Sequence, residues 1–228
     1  MNSNKGITTD SKGLLRLANL SNFVAVDAGT ERNTAVKVSL QFLRNFDASA
    51  YDTIQRHTHS LIWVQVIDKS KPTQLFSSTT FHTPLGVTFL TDLSLRYIPP
   101  DVVFSSTSCF ALAENLYHEA LHQQLYHFID NHEVLHPSVR GEKGGDIFIP
   151  WRNVHWKLEH ALHAYYVYVH IARLRAMADA HFELHRATRG ANDAVEQLAS
   201  SIDAFKECFL QDGRKLLVTL KKMTEEKF

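Results

Sequence analysis

His118, Glu119 and His122 stand together as His-Glu-x-x-His in the run Tyr117-His118-Glu119-Ala120-Leu121-His122. Neutral imidazoles are good donors to divalent transition metals, and the intervening carboxylate can activate water or orient a ligand. In an α-helix four residues advance about 6 Å and return the side chain to the same face. His118 and His122 can therefore point at one ion, with Glu119 beside them as a candidate catalytic residue.

The flanking residues supply the helix that this geometry requires. Phe110, Ala113, Leu116, Ala120, Leu121 and Phe128 recur at helical spacing, and Ser106 and Ser108 offer capping hydroxyls upstream. The spacing predicts a helix over 108–129. Two histidines need a third protein ligand to make a metal site. Candidates lie in Trp156-Lys157-Leu158-Glu159-His160-Ala161-Leu162-His163-Ala164, at the start of a second long helix. Glu159 and His163, four apart, share a face of that helix, and His160 sits one turn before His163. The other histidines, among them His127, His132, His136, His155, His170, His181 and His185, read as surface or hydrogen-bonded core residues.

Composition bounds the setting. With 228 residues, 44% hydrophobic and 11% aromatic, the chain can bury a substantial core in one domain. Lys+Arg and Asp+Glu both number 24, so the charge balance gives no reason to expect nucleic acid or an acidic membrane as partner. Only Cys109 and Cys208 are present, which excludes a disulfide framework and points to a reducing cytoplasm. The polar N-terminus lacks the apolar stretch of a signal peptide, and no run is long enough to span a bilayer.

Residues 1–12 read as a disordered tail and 13–228 as a single domain, mixed with strands over 13–100 and mainly helical over 101–228. Leu14, Leu15, Leu17 and Leu20 suggest a short helix, and 36–46 suits strand or helix. Between 60 and 68 every position from Leu61 to Ile67 except Gln65 is apolar, as in a strand buried on both faces. Short strands are expected at 74–81 and 87–91, broken at Pro84-Leu85-Gly86. Residues 131–150 read as a loop, either a lid or a plain flexible connection. Helices follow at 153–186, 192–210 and 213–222, the last two separated at Asp212-Gly213. The expected fold class is α+β: a small N-terminal β-sheet packed beside a helical bundle that carries the His-Glu-x-x-His helix and a second ligand helix.

Three pieces of this chain resemble the HExxH-type peptide-modification proteins of ribosomally made, post-translationally modified peptide pathways. They are the His-Glu-x-x-His helix, a Pro150-Trp151-Arg152 segment followed by the step Leu162-His163-Ala164, and the stretch Leu210-Gln211-Asp212-Gly213-Arg214-Lys215-Leu216-Leu217. Together they cover roughly residues 105 to 222, while the first hundred residues match more loosely. Asn153, Val154, His155 and Trp156 stand where many members carry prolines and an arginine. The resemblance implies an Fe(II)- and 2-oxoglutarate-dependent oxygenase that uses O2 to hydroxylate a side-chain carbon, Cβ, of a ribosomal precursor peptide. It implies His118, His122 and His163 as the metal ligands. The distal carboxylate of 2-oxoglutarate needs a cation, for which Arg152 is the choice, with Arg173 and Arg175 as weaker candidates. Glu119 then has no task as a base; it would fix an imidazole or hold water at the metal.

Two other readings compete. In a zinc metallopeptidase Glu119 would be the general base and Glu159 or His163 the third ligand. The extended form with Gly and a third His is absent, since Gln123, Gln124, Leu125, Tyr126 and His127 follow the motif. The third reading is a non-catalytic peptide-binding module with a relict metal site.

Overall fold

The computed structural model describes residues 11–68, 75–99, 102–141, 143–150 and 153–225. Within them the chain divides into two compact units, one running to Ile98 and including Val102–Gln123, the other made of Pro99 and the residues from Gln124 onward. The described residues hold seven α-helices and eight short strands. The α+β class expected from the sequence is the class observed.

The first unit opens with α1 (Ser11–Leu17), so Ser11 and Lys12 are helical rather than part of a tail; residues 1–10 lie outside the described set. After β1 (Phe23–Ala25) come α2 (Gly29–Phe46) and α3 (Ala48–His57). The ambiguous stretch 36–46 is thus helix, and α3 is an addition to the expected elements. Asp47 separates the two helices: its extended backbone ends α2, and its carboxylate accepts the Ala50 N–H as the cap of α3.

The strands β2 (Ser60–Val66), β3 (Ser78–Thr80) and β4 (Val87–Leu90) complete a four-stranded sheet in the order β1-β2-β4-β3. The apolar run at 61–66 makes β2 central, antiparallel to β1 and parallel to β4. Trp63 and Val64 are buried, and Gln65 is exposed. On one flank Leu15, Ala18, Leu20 and Phe23 pack with Val64, Val87 and Phe89 into the unit's core. The break at 84–86 is real: Thr83-Pro84 is cis and Gly86 has a φ of 74°. A Cβ on Gly86 would lie 2.4 Å from the His59 ring, so only glycine fits. The paired strands β5 (Tyr97–Ile98) and β6 (Val102–Val103) then lead to α4 (Cys109–Asn131).

The second unit takes the last turns of α4 and a 3-10 turn at Pro137–Val139. The expected loop over 131–150 also contains β7 (Asp146–Ile149), which pairs antiparallel with β8 (Val154–Lys157). Ile147 and Ile149 are buried while Asp146 and Phe148 face out, the alternation of a half-buried strand. The second long helix therefore begins later than expected, as α5 (Leu158–Phe182). Glu183, at a φ of 52°, ends it in the left-handed region. The third helix, α6 (His185–Asp203), starts and stops earlier than expected, and α7 (Gln211–Glu225) contains Asp212-Gly213 rather than beginning after it. Among the described residues no helix is long and apolar enough to cross a membrane.

Candidate functional site

The motif lies on α4, as its spacing requires. Ser108 Oγ accepts the Ala111 N–H at 3.2 Å, the capping contact expected at the start of this helix. The helix is apolar on most of its circumference: Phe110, Leu112, Leu116 and Leu121 are fully buried. Against this background four polar side chains are also buried, namely Glu114, Asn115, Glu119 and Gln123.

Asn115, Glu119 and Gln123 are spaced i, i+4, i+8 and form one line along the helix. That line runs along β3, an edge strand of the sheet. Asn115 Oδ1 accepts from Ser77 Oγ at 2.7 Å and lies 2.9 Å from Ser78 Oγ. Its amide nitrogen donates to the Tyr97 carbonyl at 2.7 Å. Glu119 Oε1 is 2.7 Å from Ser78 Oγ, and the Thr80 N–H donates to the same carboxylate. Gln123 donates to Thr80 Oγ1 and to the Phe81 carbonyl, and its Oε1 accepts the Gly86 N–H at 2.7 Å. Glu119 and Gln123 thereby satisfy the Thr80 N–H and the Phe81 carbonyl at this edge, and Asn115 takes the Ser77 and Ser78 hydroxyls. Sequence reasoning passed over Asn115 and Gln123; the signal was a polar residue at every fourth position, 115, 119 and 123, beside the line of His118 and His122.

Burial pushes the Glu119 carboxyl up to about 7, against the lowering effect of the Ser78 hydroxyl and the Thr80 amide. A hydroxyl carries a single proton, so Ser78 cannot donate to Glu119 and Asn115 together. With Glu119 ionised, Ser78 donates to it. With Glu119 protonated, the carboxyl donates to Ser78 Oγ, and Ser78 donates to Asn115.

His118 and His122 lie on the adjacent line of α4, both half-buried. Their ring centres are 5.0 Å apart, with the planes at 60°. Burial drives His122 down to about 4, so its imidazole is neutral at pH 7 and keeps a lone pair for a metal. The spacing suits one shared ion. Nitrogens about 2.1 Å from a metal put the ring centres about 3.2 Å from it, and about 5 Å from each other at a near-right angle.

The remaining predicted residues fall in the second unit. His163 is buried on α5, its ring centre 4.4 Å from that of Tyr126. One turn further along α5, the Tyr166 hydroxyl donates to Gln124 Oε1 at 2.7 Å. Glu159 Oε2 accepts the Gly141 N–H at 2.6 Å, so this carboxylate clasps the segment after the 3-10 turn. His160 is exposed. Arg152 lies outside the described residues. Arg175 is fully buried and donates to the carbonyls of Ala187 and Pro99. Among the described residues, no three His, Cys, Asp or Glu side chains form a group that could hold a metal ion. The structure thus presents His118 and His122 as a pair, and Glu119 as a residue bonded to β3. No protein-family model matches the chain, and no curated protein matches it.

Proposed function

We propose that this chain is an Fe(II)- and 2-oxoglutarate-dependent oxygenase that hydroxylates a side-chain carbon, Cβ, of a ribosomally made peptide. The observation that supports it is the pairing of His118 and His122 at 5.0 Å while Glu119 is bonded to Ser78 and Thr80. A metallopeptidase needs that carboxylate to take a proton from bound water. Here it already accepts from Ser78 and Thr80 of a strand, which favours the reading in which no base is required.

The ligand set of this reading is His118, His122 and His163, the last from the resemblance alone. When bound, Fe(II) with 2-oxoglutarate and O2 would supply the oxidising power to attack an unactivated C–H bond. The chain's own part is positioning. The helix α4 presents the two imidazoles one turn apart, and burial keeps His122 neutral. Arg152 would grip the distal carboxylate of the cosubstrate with two parallel hydrogen bonds, and Arg152→Lys would then weaken 2-oxoglutarate binding, since a point charge cannot reproduce the fork. A cytoplasmic setting suits the free thiols of Cys109 and Cys208.

The test is metal analysis of anaerobically purified protein, with and without 2-oxoglutarate, followed by assay with Fe(II) and O2. The expected result is one iron per chain, lost in His118→Ala, His122→Ala and His163→Ala, and succinate formed from 2-oxoglutarate. Peptide cleavage supported by Zn(II) and independent of O2 would overturn the proposal, as would metal binding indifferent to His118 and His122.

A further inference from the structure

The second unit contains a cavity of about 740 Å³ between α5, α6 and α7. It exists because the facing helices carry short side chains there: Ala172 and Ala176 on α5, Ala199 on α6. Larger side chains at these positions would fill the space. The floor is apolar, formed by Val169, Val195, Ile202 and Leu217.

The mouth is different in kind. Glu196 and Asp203, seven apart, line up on the exposed side of α6 next to the buried Val195 and Ile202, and Glu225 comes from the last turn of α7. Among the described residues Lys221 is the one cation on the lining, against these three carboxylates. Glu196 and Asp203 are exposed. Among the described residues neither takes part in an ion pair. Tyr165, buried on α5, contributes a phenol to the lining close to the charge of Glu225.

A space of this size falls in the range of small-molecule sites, which pair an apolar body with a few polar groups that fix orientation. The excess of carboxylates selects the sign of the polar group. A cation entering the mouth exchanges water for attraction, whereas an anion meets like charge. We propose that this cavity binds an amphipathic organic cation, with its alkyl or aryl body on the apolar floor and its ammonium at the Glu196–Asp203 mouth.

Three probes of equal length separate the contributions: decylamine, decanol and decanoate, each titrated into the full chain below its micelle concentration and followed by amide chemical shifts. Decylamine should bind at least tenfold more tightly than decanoate, with decanol between them. The double variant Glu196→Gln/Asp203→Asn changes only exposed groups, and should bring decylamine to the level of decanol while leaving decanol unchanged. Ala199→Phe fills the gap, and with its fold checked by circular dichroism should lose all three. Decanoate binding as well as decylamine, an amine preference that survives the double variant, or no saturable binding by any probe would overturn the assignment.

Discussion

Ser78 Oγ lies 2.7 Å from Glu119 Oε1 and 2.9 Å from Asn115 Oδ1, bridging two successive turns of α4 from one residue of β3. The hydroxyl is therefore the joint between the motif helix and the edge of the sheet. Ser78→Ala would leave a buried carboxylate short of a donor and remove one partner of Asn115. A loss of about 1–3 kcal/mol is expected, measured by urea denaturation at pH 7. Wild-type stability in that variant would show that the joint carries no weight.

Glu119 also makes the metal-free protein sensitive to pH, and the sign follows from its environment. Its folded-state value, about 7, stands above the ordinary 4.5, so the folded protein holds this proton more tightly than the unfolded chain. The resulting stabilisation is full below about 4.5 and is lost as pH rises through about 7. At about 1.4 kcal/mol per unit, the loss is on the order of 3 kcal/mol. Glu119→Gln keeps the shape and cannot ionise, so it should flatten this dependence and be the more stable form at pH 8. Denaturation curves for both proteins at pH 5 and pH 8 decide it; parallel changes would exclude Glu119 as the source.

Much of this architecture is legible in the sequence, and the exceptions have physical causes. His118 and His122 announce a helix because their spacing coincides with the apolar period around them, and β2 announces itself by an apolar run interrupted only at Gln65. The end of α5 could not be read, because it is made by Glu183 in the left-handed region, where no glycine marks the place. The hairpin of β7 and β8 hid in a stretch rich in glycine and histidine; its register, with Asp146 opposite Lys157 and their charges 2.8 Å apart, depends on a pairing that local propensity does not show. Asp212-Gly213 misled for the opposite reason. Gly213 is needed for space rather than for a turn, since a Cβ there would sit 2.2 Å from the Val134 carbonyl oxygen. The role of Glu119 was hidden too, because Ser78 and Thr80 lie about forty residues upstream and only the fold brings them to it.

That close approach at Gly213 makes a direct prediction. Alanine is the better helix former by roughly 1 kcal/mol, yet Gly213→Ala must push α7 away from the backbone at Val134, where Leu210 N–H also bonds. The variant should lose stability, by roughly 1–3 kcal/mol for an overpacked site, with a lowered melting temperature by calorimetry. A gain would mean that the contact relaxes freely.

Glu159 was a rival for the third metal ligand, and its bond to the Gly141 N–H gives it a different task. Gly141 has a φ of 61°, and one carboxylate oxygen holds the chain at that point. Glu159→Ala should speed amide exchange at Gly141 and protease cutting nearby, while metal content stays unchanged. Loss of metal with unaltered exchange would return Glu159 to the ligand set.

Arg175 gives the sharpest contrast between charge and shape. Its guanidinium is fully buried on α5 and spans two backbone carbonyls, that of Ala187 at 3.0 Å in the first turn of α6 and that of Pro99. No side-chain cap holds the start of α6, so the contact to Ala187 is one of the ties that fix where this helix begins. Lysine keeps the charge but lacks the planar fork, so Arg175→Lys would bury an ammonium with fewer acceptors in reach. Methionine removes the charge with its desolvation cost, and leaves carbonyls that each cost about 1–3 kcal/mol when unpaired. Arg175→Lys should therefore destabilise at least as much as Arg175→Met, both by roughly 2 kcal/mol or more, with faster amide exchange over the first turns of α6. Chemical denaturation and exchange measured on the two variants decide the matter. If Arg175→Lys stays within about 0.5 kcal/mol of wild type, the range of ordinary surface changes, the two-carbonyl clamp is not what holds α6.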